Sequence, residues 1–237
     1  MCRLFYVLDI RMASCALQFP HTEILPIDVW PEDEGETVEF RLVYKGRIPS
    51  QQSEVANRAK HDIRLAMHEQ LRTLWHEHPV LRKWSKFDEA EAQQSRSHAD
   101  ILADNYQRCN IRFLPLVNKR SGLACALDIL FLRRDPPGSQ IISGGDLDNR
   151  LKVLVDGLKM PGECSQIPRG WQPGPTHDPL YCLMQDDGMV TEIKVTSDRL
   201  LAPLAGEENK NDVELIIHVT TKIMAPLVMS VDGAPQL

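Results

Sequence analysis

Between Gly144 and Asp156 the chain reads GGDLDNRLKVLVD, and thirty residues after Asp156 comes Asp186-Asp187-Gly188. Asp146 and Asp148 are one residue apart. Asp148, Lys152 and Asp156 recur at four-residue steps, which on a helix at ~100° per residue places them in one narrow sector. Leu147, Leu151, Leu154 and Leu158 form the complementary apolar sector, expected to dock on a sheet. If the strand that follows Asp187 starts beside the helix N-terminus, three or four carboxylates meet at one point. Close carboxylates raise one another's pKa and need a compensating cation to remain ionised together. Oxygen-only ligands select a hard divalent ion, Mg²⁺ or Mn²⁺, over zinc. Lys152, one turn from Asp148, would place positive charge where a phosphoryl transition state gathers negative charge. Carboxylates, a hard metal and an adjacent lysine suit phosphodiester hydrolysis by a metal-activated water.

Each residue taken singly has a plainer use. Asp146 or Asp148 can cap the helix, Lys152 can pair with Asp148 or Asp156 across a turn, and Asp-Asp-Gly is a turn sequence. The combination is what points to a site.

The elements that must position these residues follow from periodicity. Val38–Tyr44 alternates as a strand. Ser53 to Glu77 reads as a long helix, with Val55, Ala59, Ile63, Ala66, Met67, Leu71 and Leu74 as its apolar face. Lys60, Arg64, His68 and Arg72 run down its flank, and a solvated face and a phosphate-binding one explain them equally. Ile111–Val117 and Leu123–Leu132 read as two strands of a hairpin closed by Asn118–Gly122. A helix is expected from Asp146 to Lys159, a long Pro/Gly-rich loop from Met160 to Leu183, and strands at Val190–Thr196 and Val213–Met224. The order gives an α+β fold: a mixed β-sheet with helices packed on one side. The expected divisions are an N-terminal extension with an acidic linker (1–37), an α+β domain that carries the candidate site (38–226) and a tail (227–237).

Charge is uneven. The chain of 237 residues carries a formal net charge of −6, from 27 basic and 33 acidic residues. Six of the acids lie between Asp28 and Glu39, where there is no Lys or Arg, so the remainder is neutral with 27 of each sign. Arg41 to Lys83 holds nine bases against four acids. The balance argues against a general nucleic-acid coat protein, which is usually basic. Six scattered cysteines without a C-x-x-C pair read as reduced, packed thiols, hence as cytoplasmic, and no membrane span or signal peptide is apparent. Cys164, His177, Asp178 and Cys182 match no compact zinc pattern and read as unrelated loop residues. Trp75 is expected to cover the edge of the core, and His76 and His78 to be solvated.

The pattern D-x-D-N-x-x-K-x-x-x-D-x-L at Asp146–Leu158, followed by D-D-x-x-V at Asp186–Val190, resembles the RusA family of Holliday junction resolvases, often encoded by phages and prophages. Outside those stretches, only the order of elements from Val38 to Lys222 agrees. The chain is about twice the family's usual length, with extra material at Met1–Glu36, Lys86–Arg108 and in the loop before Asp186. The family's early Pro-Pro-Ser-x-Asn segment is reduced to Ile48-Pro49-Ser50-Gln51-Gln52. The resemblance implies a RusA-like fold and a Mg²⁺-dependent, homodimeric endonuclease for branched DNA such as the four-way junction. Asp146, Asp148 and Asp187 would be the catalytic, metal-binding carboxylates, with Asp186 also at the metal. Lys152 would be the essential cation, and Asn149 and Asp156 would support them. A rim of Arg133, Arg134, Arg150, Lys159 and Lys194 would meet DNA, with the Asp28–Glu39 segment facing away. The alternatives are an inactive branched-DNA-binding accessory protein and, more distantly, a metal-dependent nucleotidyltransferase. A GGDEF cyclase hairpin needs a strand after its glycines, and a haloacid-dehalogenase phosphatase needs an apolar strand before its first Asp. Neither is present.

Overall fold

The computed structural model describes residues 38–50, 54–85, 97–134, 146–201 and 211–224, with backbone alone at 83–85 and at 146. All belong to one compact unit spanning Gly35–Leu237. The elements are β1 (Glu39–Arg47), α1 (Glu54–Glu77), α2 (Pro79–Ser85), α3 (His98–Asp104), β2 (Gln107–Arg108), β3 (Ile111–Val117), β4 (Leu123–Arg133), α4 (Asp146–Leu158), β5 (Leu180–Met184), β6 (Val190–Arg199) and β7 (Asp212–Ile223).

The fold is α+β, but its strands form two mixed sheets where one was expected. The larger runs β1-β7-β4-β6, with β7 antiparallel to β1 and β4, and β6 parallel to β4. Period-two alternation sets its inner face: Leu42, Ile217 and Ile129 share one row, and Tyr44, Leu215 and Phe131 the next, all buried. The smaller runs β2-β3-β5, with β5 parallel to β3.

Two expectations are corrected here. Ile111–Val117 and Leu123–Arg133 are strands, but they do not pair as a hairpin. Asn118 is fully buried, donates Nδ2–H to the Pro115 carbonyl (3.0 Å), and accepts from Ser121 N–H (2.9 Å) and Tyr106 O–H (3.1 Å). Those bonds hold a turn, completed by Gly122 at φ +60°, from which the two strands enter different sheets. In addition, the stretch assigned to loop ends in a strand, Leu180–Met184. All five of its residues are buried, so it lacks the alternation that marks a half-buried strand.

Helix α1 packs on α4, β5, β1 and α2. Its buried stripe is rotated from the one expected. Ala56, Ala59, Ile63, Met67, Leu71 and Trp75 are inside, together with Lys60, Arg64 and His68, while Val55 is 65% exposed. Trp75 lies against Tyr181, as its core assignment implied. His76 is exposed, whereas His78 is half-buried. At the crossing with α4, a Cβ on Gly157 would lie 2.8 Å from Ile63, so only glycine allows the two backbones this close.

A third correction concerns the cysteines. Cys109 and Cys164 form a disulfide that ties the β2–β3 turn to the 160–179 segment, while Cys125 and Cys182 are buried free thiols as expected. The cytoplasmic expectation rested on reduced thiols and loses that support. Among the described residues, no helix is long and apolar enough to cross a membrane.

Candidate active site

Helix α4 forms where periodicity placed it, Asp146 to Leu158, with Val153, Leu154 and Leu158 fully buried. Leu147 and Leu151 are only half-buried, toward the open end of the helix. This anchoring turns the face that carries Asp148 and Lys152 outward, and both are exposed. Neither makes a hydrogen bond or ion pair with another described residue, so the plainer use of Lys152, pairing with Asp148 or Asp156 across a turn, does not occur.

Asp156 is bonded instead. Its Oδ2 is 2.8 Å from Lys60 Nζ and its Oδ1 is 3.3 Å from Lys159 Nζ. Lys159 also donates to Asp187 Oδ2 at 2.9 Å. Asp187 opens a short 3₁₀ turn (Asp187–Met189) that leads into β6, and Asp186 caps the turn by accepting Gly188 N–H at 3.0 Å. The chain reaches this point because Met160 N–H donates to the Met184 carbonyl (3.0 Å), so the end of β5 lies beside the end of α4. The Lys159 hydrogen bond holds Asp187 below the ordinary carboxylate range. Burial works against the charge on Lys159, but Asp187 and Asp156 together outweigh it and raise its pKa above the usual lysine value.

Asp187 is therefore placed at the C-terminal end of α4 beside Asp156, whose backbone is about 12 Å along the helix axis from that of Asp148, and the expected convergence of Asp186 and Asp187 on Asp148 does not occur: no group of three close donors among the described residues contains them. Asp146 is the first residue of α4, and its carboxylate lies outside the described atoms. Asn149 is half-buried on the first turn. Asp148, Asp186 and Asp187 are exposed and offer only oxygen, the donor chemistry that suits a hard divalent ion.

The expected cationic rim is corrected. Arg133 is 0% exposed and Arg150 2%, so neither reaches DNA from these positions. Arg150 donates to the Ile48 carbonyl at 3.0 Å and to Asn211 Oδ1 at 3.4 Å, joining α4 to the end of β1 and the start of β7. Lys159 is committed to the two aspartates. Arg134 is half-buried. Lys194 is exposed, paired with Asp128 at 2.7 Å.

On the flank of α1, Lys60, Arg64 and His68 are buried and so not solvated, while Arg72 stays at the surface, 3.1 Å from Glu69. Arg64, 1% exposed, donates Nε–H to the Lys159 carbonyl and Nη2–H to the Asp156 carbonyl, both at 3.1 Å. It thereby satisfies carbonyls that the end of α4 leaves without helical partners. Burial pulls Arg64 down to about 10, still cationic near neutrality. The Tyr181 N–H donates to His68 Nδ1 (3.0 Å), so the ring proton sits on Nε2 and is donated to the Thr176 carbonyl (2.9 Å).

That tautomer decides another question. Among the described residues, one trio of potential ligands, His68, Glu69 and His177, has its donor atoms within 4.8 Å of one another. Both nitrogens of His68 are occupied by backbone groups, so a metal at Nε2 would have to displace a proton and a carbonyl. His68 instead ties α1 to the 160–179 segment through the Thr176 carbonyl. The loop residues considered for zinc are dispersed: Cys164 is in the disulfide, Asp178 pairs with Arg112 at 2.7 Å, and Cys182 is buried.

The bonds from Lys60 and Arg64 to α4 were not foreseen. Lys159 at i+3 from Asp156 was the available signal for the second half of the network. Comparison of the chain with protein-family models, curated proteins and solved structures finds no match.

Proposed function

We propose that this chain is a metal-dependent endodeoxyribonuclease that cuts branched DNA of the four-way-junction type by phosphodiester hydrolysis, working as a homodimer. The observation that carries the reading is the division of charge on α4. Arg150 is turned inward and Asp156 is bonded to two lysines, whereas Asp148 and Lys152 are exposed and unbonded, one turn apart. A helix that needed Asp148 and Lys152 for stability would pair them.

In this reading Asp146 and Asp148, at the open end of α4, would hold a Mg²⁺ or Mn²⁺ ion. The ion, when bound, lowers the pKa of water and offsets charge on the phosphate. Lys152 brings a flexible ammonium to the phosphoryl oxygens, where developing charge strengthens the contact in the transition state. Asn149 presents an amide on the same turn, and Asp156 fixes Lys159. Resolving a four-way junction takes two cuts in symmetry-related strands, which a two-fold dimer supplies with one site per subunit.

The test is incubation of the purified protein with a labelled four-way junction and with its linear duplex arms, with and without Mg²⁺. Mg²⁺-dependent paired nicks in the junction, with the arms left intact, are expected. Binding without cleavage under any divalent ion would point to an accessory junction-binding protein instead.

A further inference from the structure

The larger sheet has two edges, and they are finished differently. At β1 the Gln70 side chain of α1 closes the edge. Its Oε1 accepts Val43 N–H (2.9 Å) and its Nε2 donates to the Val43 carbonyl (2.8 Å). At β6, the opposite edge, the outer backbone groups of 191–198 meet no partner among the described residues. An unpaired edge of this length is a template for another strand. We infer that the other strand is β6 of a second copy. The two pair antiparallel about a two-fold axis at Ile193, which joins two four-stranded sheets into one. The inference deepens the homodimer part of the reading above, rests on that part alone, and needs none of its chemistry.

Charge selects the register. Pairing about Ile193 sets Glu192 opposite the partner's Lys194, and Lys194 opposite the partner's Glu192, on the outer face. Within one copy Lys194 already pairs with Asp128 at 2.7 Å, and Glu192 with Lys222 at 3.7 Å. Across the axis the row then alternates in sign: Asp128, Lys194, the partner's Glu192, the partner's Lys222. Shifting the axis by one residue would set Glu192 or Lys194 opposite its own copy, like charge against like. A lysine in an edge strand ordinarily blocks pairing. Here the two-fold supplies its acid.

The inner face agrees. Its row of Val219 and Leu127 continues onto β6 as Ile193, and its row of Ile217 and Ile129 continues as Val195. The four residues on β7 and β4 are buried, whereas Val195 is half-buried and Ile193 is 48% exposed. The apolar rows therefore run out at the open edge. In the paired arrangement Ile193 meets its own copy and Val195 meets the partner's Thr191, so β-branched side chains cover each other across the axis.

The experiment is sedimentation equilibrium of the full-length protein and of charge-swapped variants. The wild type is expected to dimerise. Glu192→Lys and Lys194→Glu each oppose like charges at two symmetric places and should weaken the dimer at least about tenfold. The double swap restores opposite signs across the axis and should return to within about threefold of the wild type. Oxidation of Ile193→Cys with diamide should join two chains through the introduced thiols, identified by mass spectrometry of the linked peptides. Directly opposite Cα atoms lie about 4.5–5.5 Å apart, within disulfide range. Thr196→Cys, whose two copies would be ~20 Å apart in this register, should not link. A dimer that neither single swap weakens, or that links through Thr196→Cys and not Ile193→Cys, overturns the proposal alone. A monomeric wild type overturns the homodimer reading and the proposal with it. A dimer built through β6 that cuts no junction leaves the proposal standing and overturns the nuclease reading.

Discussion

On α1, Lys60, Arg64 and His68 descend at four-residue steps into the interior, and all three are bonded: to the Asp156 carboxylate, to the end of α4, and to the backbone at Thr176 and Tyr181. On α4, Asp148 and Lys152 have the same spacing but are exposed, without partners among the described residues. The two rows look alike as periodic charge. What separates them is cover. The flank of α1 is roofed by α4 and by the 160–179 segment, where Trp171 lies 4.5 Å from His61 ring to ring. Buried charges must be paired to persist, so the α1 row acts as a frame. The α4 row has no such constraint and remains available to a ligand.

The largest expected effect is on the frame. Arg64→Met leaves the Asp156 and Lys159 carbonyls without their donor and should lower unfolding stability by about 3–5 kcal/mol, read from urea denaturation. A loss below about 1 kcal/mol would mean that the buried row does not hold α4.

Acid should act on the same frame. Burial first, then Arg64 and His177, lowers the pKa of His61 from 6.5 to about 4. A histidine depressed in the folded state contributes stability that is present above pH 6.5 and is lost as pH falls from 6.5 toward 4, because the unfolded chain binds the proton first. The loss should reach up to about 3 kcal/mol, measured as melts at pH 7 and pH 4. His61→Phe should flatten most of that slope. His68, shifted down mainly by burial, would contribute the remainder with the same sign.

A smaller effect is expected at the crossing of the two helices. Gly157→Ala puts a methyl 2.8 Å from Ile63 and should cost about 1–3 kcal/mol. Ile63→Ala made in the same chain should give less than the sum of the two single losses, since both act on one contact.

The smallest expected change in stability is at Lys152. Lys152→Ala should leave unfolding within about 0.5 kcal/mol of the wild type, because the side chain is exposed and unbonded. A loss comparable to that of Arg64→Met would erase the distinction between the two rows.

Much of the fold was legible because it rests on local periodicity. The 13-residue span of α4 and the alternation of β1, β4 and β7 appear directly in the spacing of their apolar residues. The separation of β3 from β4 was not legible, because Asn118–Gly122 is a turn sequence in either case and the pairing depends on β5, sixty residues away. The inward Arg133 and Arg150 were hidden for a similar reason. An arginine is expected outside, and only the surrounding tertiary structure makes these two internal. In the candidate site, the residues that stand free were visible as a motif. The network behind them was not, because Lys60 and Asp156 lie on different helices and nothing in their local sequence marks them as partners.

The account's central claim is that the free acid of α4 serves catalysis and not the fold. Single-turnover cleavage of a labelled four-way junction in Mg²⁺ by Asp148→Asn, with its melting curve recorded alongside, tests this most directly. The account predicts cleavage at least about a hundredfold slower, an unchanged melting midpoint, and junction binding as tight as the wild type or tighter, because a negative charge facing the phosphates is gone. Cleavage at the wild-type rate by a folded Asp148→Asn would contradict it.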